Sequence, residues 1–101
     1  MTTYGFEREA LAEYRDATLR YAEQRAGLGE EFIQAVETAM DAVCANPEKF
    51  QPVGDGLRIY RMKRFPYFLF YGHQSDQHHV VIYAVAHHRR RPDYWRGRVR
   101  D

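Results

Sequence analysis

Along the chain, apolar positions recur first with the period of a helix and then with the period of a strand. After a short strand-like opening at Thr3–Phe6, Leu11, Tyr14, Thr18 and Tyr21 follow at helical intervals, with Ala10, Ala17 and Ala22 beside them. This spacing predicts a helix from Glu7, with Glu7, Glu9, Glu13, Asp16 and Glu23 on its remaining surface. Gly27-Leu28-Gly29 ends it, because glycine adopts the positive φ of a helix C-terminus without steric cost. A second helix follows over residues 30–45. Phe32, Val36, Ala39, Met40 and Val43 form its apolar stripe, and Glu30 and Glu31 suit the positive end of its dipole. Asn46-Pro47 stops it, since proline disfavours a helical residue before it. Two helices joined by so short a turn form an antiparallel hairpin.

From residue 57 the period becomes two. Residues 57–64 predict a strand with Tyr60 and Met62 on one face and Ile59, Arg61 and Lys63 on the other. Phe65-Pro66 breaks it, residues 67–72 form the next strand, residues 73–77 a polar turn, and residues 79–87 a third strand. Short connections make these strands antiparallel neighbours. The expected fold is α+β and a single domain over residues 1–101. An N-terminal αα-hairpin packs on a small curved antiparallel β-sheet of three to four strands, in the order (β)-α-α-β-β-β with a basic tail.

Charge adds a division that the pattern does not show. The net charge is +1, yet residues 1–57 hold five Lys/Arg against eleven Asp/Glu, and residues 58–101 hold ten against three. Either the basic half meets an anionic partner, nucleic acid or an acidic peptide, or the acidic helices simply neutralise it. The single cysteine, Cys44, excludes an internal disulfide and a multi-cysteine metal site, and reads as a small buried helix residue. The opening MTTYGFERE has neither the basic nor the apolar region of a signal peptide. No apolar run approaches the roughly 20 residues that span a bilayer, so a cytoplasmic protein without membrane contact is expected.

Four sequence elements occur in order: Gly27-Leu28-Gly29 before Phe32; Asn46-Pro47 before Phe50; Arg64-Phe65-Pro66-Tyr67 before Tyr71; and Ala84-Val85-Ala86-His87 leading to Arg90 and Pro92-Asp93-Tyr94-Trp95. With them the chain resembles the RelE/ParE superfamily of type II toxin–antitoxin toxins over essentially its whole length. The resemblance implies a cognate antitoxin, normally encoded beside the toxin, that wraps it with an extended or helical arm. It also implies one of two targets. RelE-like members cleave mRNA on the ribosome, whereas ParE-like members, associated with plasmid stabilisation, inhibit DNA gyrase.

Cleavage of RNA by its own 2′-hydroxyl needs a base, an acid and cations that stabilise the charged phosphorane. The resemblance to RelE-type nucleases implies that Arg90 and Tyr94 match the last arginine and tyrosine of the catalytic set, and that Arg61 replaces one strand lysine. Phe68 stands where a phosphate-binding arginine is expected and Ile59 where the other lysine is. Loss of one such donor typically raises the barrier by about 2.7–4 kcal/mol. The ParE branch commonly lacks this set, so gyrase binding is the favoured expectation. A ribosome-dependent endoribonuclease using Arg61, Arg90 and Tyr94, and a non-toxic antitoxin-binding module, are the alternatives.

The expected target- or antitoxin-binding residues are Lys63, Arg64, His87, Arg89, Arg90, Arg91, Tyr94 and Trp95. Each has a plainer reading. Arg89-Arg90-Arg91 also reads as a solvated basic turn, and Lys63 and Arg64 as charges that keep a strand edge from aggregating. Tyr67, Tyr71 and Tyr83 read as packing residues, Tyr94-Trp95 as an apolar anchor for the tail, and His78-His79 as exposed near a turn. His87-His88 beside three arginines repels cations, so neither a metal nor a cofactor is expected.

Overall fold

The computed structural model describes residues 1–99. Both periodic segments are helices: α1 spans Arg8–Gln24 and α2 spans Leu28–Ala45. Glu7 caps α1, its carboxylate accepting the Glu9 and Ala10 N–H groups at 2.8 and 3.0 Å. Gly27, at φ 85°, supplies the turn between the helices. Gly29 has a different role, because α2 starts two residues earlier than the pattern predicts and takes Gly29 in. A Cβ there would meet the Ala22 Cβ and the Thr18 carbonyl oxygen, each at 3.0 Å. The two helices come close together at this point, and a side chain here would have to push them apart by a few tenths of an ångström.

Five strands form one sheet in the order β1-β5-β4-β3-β2: β1 Thr3–Phe6, β2 Gln51–Gly54, β3 Leu57–Arg61, β4 Tyr67–Gln74 and β5 His79–His87. β3, β4 and β5 are antiparallel neighbours, as expected. Two features differ from expectation. β1 pairs with β5 in parallel, so the sheet is mixed rather than antiparallel, and β2 adds a fifth strand. A two-residue turn, Asp55-Gly56, joins β2 to β3, with φ values of 57° and 75°. Asp and Gly tolerate this paired left-handed conformation, which matches the twist of the flanking strands. β3 ends at Arg61, short of residue 64, because residues 62–66 turn Phe65 inward to 6% exposure.

One irregularity decides which side chains face where. Phe70 pairs with Ala84 but Tyr71 pairs with Ile82, so Tyr83 is an extra residue in β5. Val80, Ile82 and Val85 therefore point to the helices, while Tyr83, Ala84 and Ala86 point to the opposite face.

The helix-covered face carries the main core. Phe32 is fully buried, with the rings of Tyr21 and Phe65 at 5.1 Å and Tyr67 at 5.3 Å. Burying such a side chain contributes about 1.5–3 kcal/mol. Tyr71 is also buried, and its hydroxyl donates to the Pro47 carbonyl at 2.6 Å. Cys44 is only partly buried, at the rim of this core. Burial and the charge of Asp41 push its thiol pKa up. Among the described residues no helix is long and apolar enough to cross a membrane.

Candidate functional site

The face away from the helices is closed by the C-terminal segment, and Glu13 is its fastener. From α1, the Glu13 carboxylate accepts the Tyr94 hydroxyl at 2.7 Å, the Val85 N–H at 3.0 Å and both terminal nitrogens of Arg98 at 2.9 and 2.8 Å. Burial raises its pKa. The hydrogen bonds from Arg98, Tyr94 and Val85 and the charge of Arg98 outweigh that, leaving the carboxyl below its ordinary range. Arg98 also reaches Glu9 at 3.2 Å and the Tyr83 carbonyl at 3.1 Å. Arg96 ties the same segment to the β2–β3 hairpin, donating to Asp55 at 2.9 Å and the Val53 carbonyl at 2.7 Å. Between these clamps Trp95 is 1% exposed and stacks on Phe70 at 4.4 Å.

Beside this lid the face stays open. Ile59, Phe68, Phe70 and Ala86 form the floor of a cavity of about 160 Å³, and His87, His88, Arg90 and Arg91 stand around it. Arg90 lies over the Tyr94 ring, its guanidinium carbon 3.9 Å from the centroid. Arg61, paired with Phe68 across the β3–β4 ladder, sits 5.9 Å over the Phe68 ring and donates to Gln51 at 2.9 Å. Burial, then the charges of His88, Arg89 and Arg20, lower the pKa of His87 and favour its neutral form.

The expected site residues divide into two groups. His87, Arg90, Arg91 and Tyr94 line the open cavity, with Arg61 beside it over the Phe68 ring and Arg89 exposed in the same turn. Lys63 and Arg64 do not join them. They line a separate groove against α2, where Arg64 pairs with Glu31. Of the two readings of Trp95, partner contact or apolar anchor for the tail, the structure has the anchor, because stacking on Phe70 buries it. Tyr94 is half-buried and its hydroxyl is committed to Glu13. Burial and that carboxylate push its pKa far above the ordinary range of a phenol. His79, expected to be exposed, is partly buried and shares a hydrogen bond with Thr3 at 2.7 Å. Among the described residues no group of three or more His, Cys, Asp or Glu could hold a metal ion.

Glu13, Arg96 and Arg98 hold the C-terminal segment in this geometry, and the sequence reading does not single them out. For Glu13 a signal existed. It lies three residues after Ala10 and four before Ala17, both fully buried, and so belongs to the inward stripe of α1 rather than to its solvated side.

Residues 4–92 match the family model described as the ParE toxin of the type II toxin–antitoxin system parDE. No curated protein matches the chain. The order of helices and strands agrees with the resemblance read from the motifs. The chain belongs to the ParE toxin family, the toxin half of a type II toxin–antitoxin pair.

Proposed function

We propose that this toxin arrests growth by binding DNA gyrase in the cytoplasm, and that it is not a nuclease. The observation that carries the reading is the chemistry of the open face. Ile59 and Phe68 occupy the two positions where a RelE-type active site would need cations, and both line the apolar cavity. An apolar floor cannot stabilise the charge that develops on a phosphoryl group. The remaining candidates are poorly suited to acid–base work. The Tyr94 hydroxyl is held as a hydrogen-bond donor to Glu13, and Arg61 donates to Gln51. What the face does offer is apolar area ringed by cations, the composition of a protein-binding surface.

The test is gyrase-catalysed supercoiling of relaxed plasmid with increasing purified toxin. Inhibition that adding the antitoxin relieves is the expected result. Unimpaired supercoiling at a large excess of toxin would exclude gyrase as the target.

A further inference from the structure

The open cavity has a floor and a rim of opposite character, and together they specify an occupant. Ile59, Phe70 and Ala86 give the floor no free polar side-chain atom. Three polar atoms of the walls are already engaged. The Nδ1 of His87 accepts the Arg89 N–H at 3.1 Å, the Nδ1 of His88 lies 3.2 Å from the Pro66 carbonyl, and the Tyr94 hydroxyl donates to Glu13. The volume, about 160 Å³, suits one bulky side chain, since an apolar cavity of about 150 Å³ holds a single benzene ring. The rim is cationic. Among the described residues, none of Arg61, Arg89, Arg90 and Arg91 is in an ion pair. The one carboxylate at the rim, Asp93, is taken by Arg96 at 2.9 Å.

We infer that this cavity is a docking point for the antitoxin, filled by one aromatic or large aliphatic side chain from an acidic segment whose carboxylates meet Arg61, Arg90 and Arg91. The inference rests on membership of a toxin–antitoxin family and stands whichever target the toxin has. A nucleobase fits less well. It would bring a hydrogen-bonding edge into a floor with no partner for it, and the strongest stacking surface, Trp95, lies buried under Phe70. An apolar anchor has no such edge, and unpaired arginines around it recruit acidic flanks.

Three variants separate floor from rim, using the full-length toxin and the co-purified product of the adjoining reading frame. Ala86→Phe fills the cavity and leaves every cation in place. Phe68→Ala removes a partly buried residue of the floor, a loss the fold tolerates more readily than one in the fully buried core. Arg91→Glu reverses one rim charge at an exposed position. Surface plasmon resonance at two salt concentrations reads association and dissociation separately. The floor variants should weaken binding at least about tenfold through faster dissociation. Arg91→Glu should slow association and flatten its salt dependence. Affinity unchanged in Phe68→Ala and Arg91→Glu overturns the docking site, whether or not Ala86→Phe folds. Loss confined to Arg91→Glu overturns the apolar anchor. If the variants bind antitoxin normally but lose gyrase or RNA binding, the cavity belongs to the target and the inference is wrong.

Discussion

The two faces of the sheet are covered by different means, and the difference separates what holds the molecule together from what it presents. The helix face is dry and aromatic. Phe32 of α2 and Tyr67, Leu69 and Tyr71 of β4 are buried between the two helices and the sheet, and the polar tips of Tyr67 and Tyr71 find partners in Arg20 and Pro47. The opposite face is covered by a single turn of chain. Trp95 supplies its apolar weight, and Glu13 binds it down through Tyr94 and Arg98. Stability should therefore concentrate on the first face and exposed chemistry on the second.

The largest expected effect is on the helix face. Phe32→Ala should cost about 3–5 kcal/mol and lower the denaturant midpoint of the whole molecule. A loss below about 1 kcal/mol would mean the main core lies elsewhere. Trp95→Ala should cost less, about 3 kcal/mol, because part of its neighbourhood can collapse. Its effect should also be local, with amide exchange accelerating around residues 93–99 while α2 keeps its protection. Equal acceleration in both regions would erase the distinction between the faces.

Acid should act on the second face before the first. Glu13 titrates below its ordinary value of 4.5 in the folded state, so its stabilisation is complete above that value. It is lost as pH falls through the lower folded pKa. Trp95 is the only tryptophan, so its emission reports directly on the segment that Glu13 holds. Release of the segment on acidification should redden that emission. Glu13→Gln should weaken the segment by about 1.5–3 kcal/mol at neutral pH and remove most of the acid dependence. Identical acid profiles for parent and variant would show that another group holds the lid. Smallest of all should be Arg91→Glu, within about 0.5 kcal/mol of the parent in stability despite its expected effect on antitoxin binding.

The first face was the more legible in the sequence. Phe32, Val36, Ala39, Met40 and Val43 repeat at helical spacing and are all buried, because a continuous apolar stripe has only one way to be satisfied. β2 was not read, since Gln51-Pro52-Val53-Gly54 has no strand alternation. Its strand character comes from the Asp55-Gly56 hairpin turn, a signal that was present in the sequence. The parallel pairing of β1 joins residues 3–6 to residues 79–82, and no local pattern encodes so distant a contact. The second face was half legible. Arg90, Arg91 and Tyr94 were named from their motif and do gather around one cavity. In the sequence Glu13 reads as a solvated acid, because its partner Arg98 lies 85 residues away.

The central claim is that the open face binds a protein and does not cut RNA, and transcript ends test it most directly. Cells induced to express the toxin without its antitoxin should stop growing, and 5′-end mapping across their mRNA should find no new cleavage sites. New transcript ends that appear on induction, at fixed positions within codons, and vanish with Arg90→Ala would contradict the account.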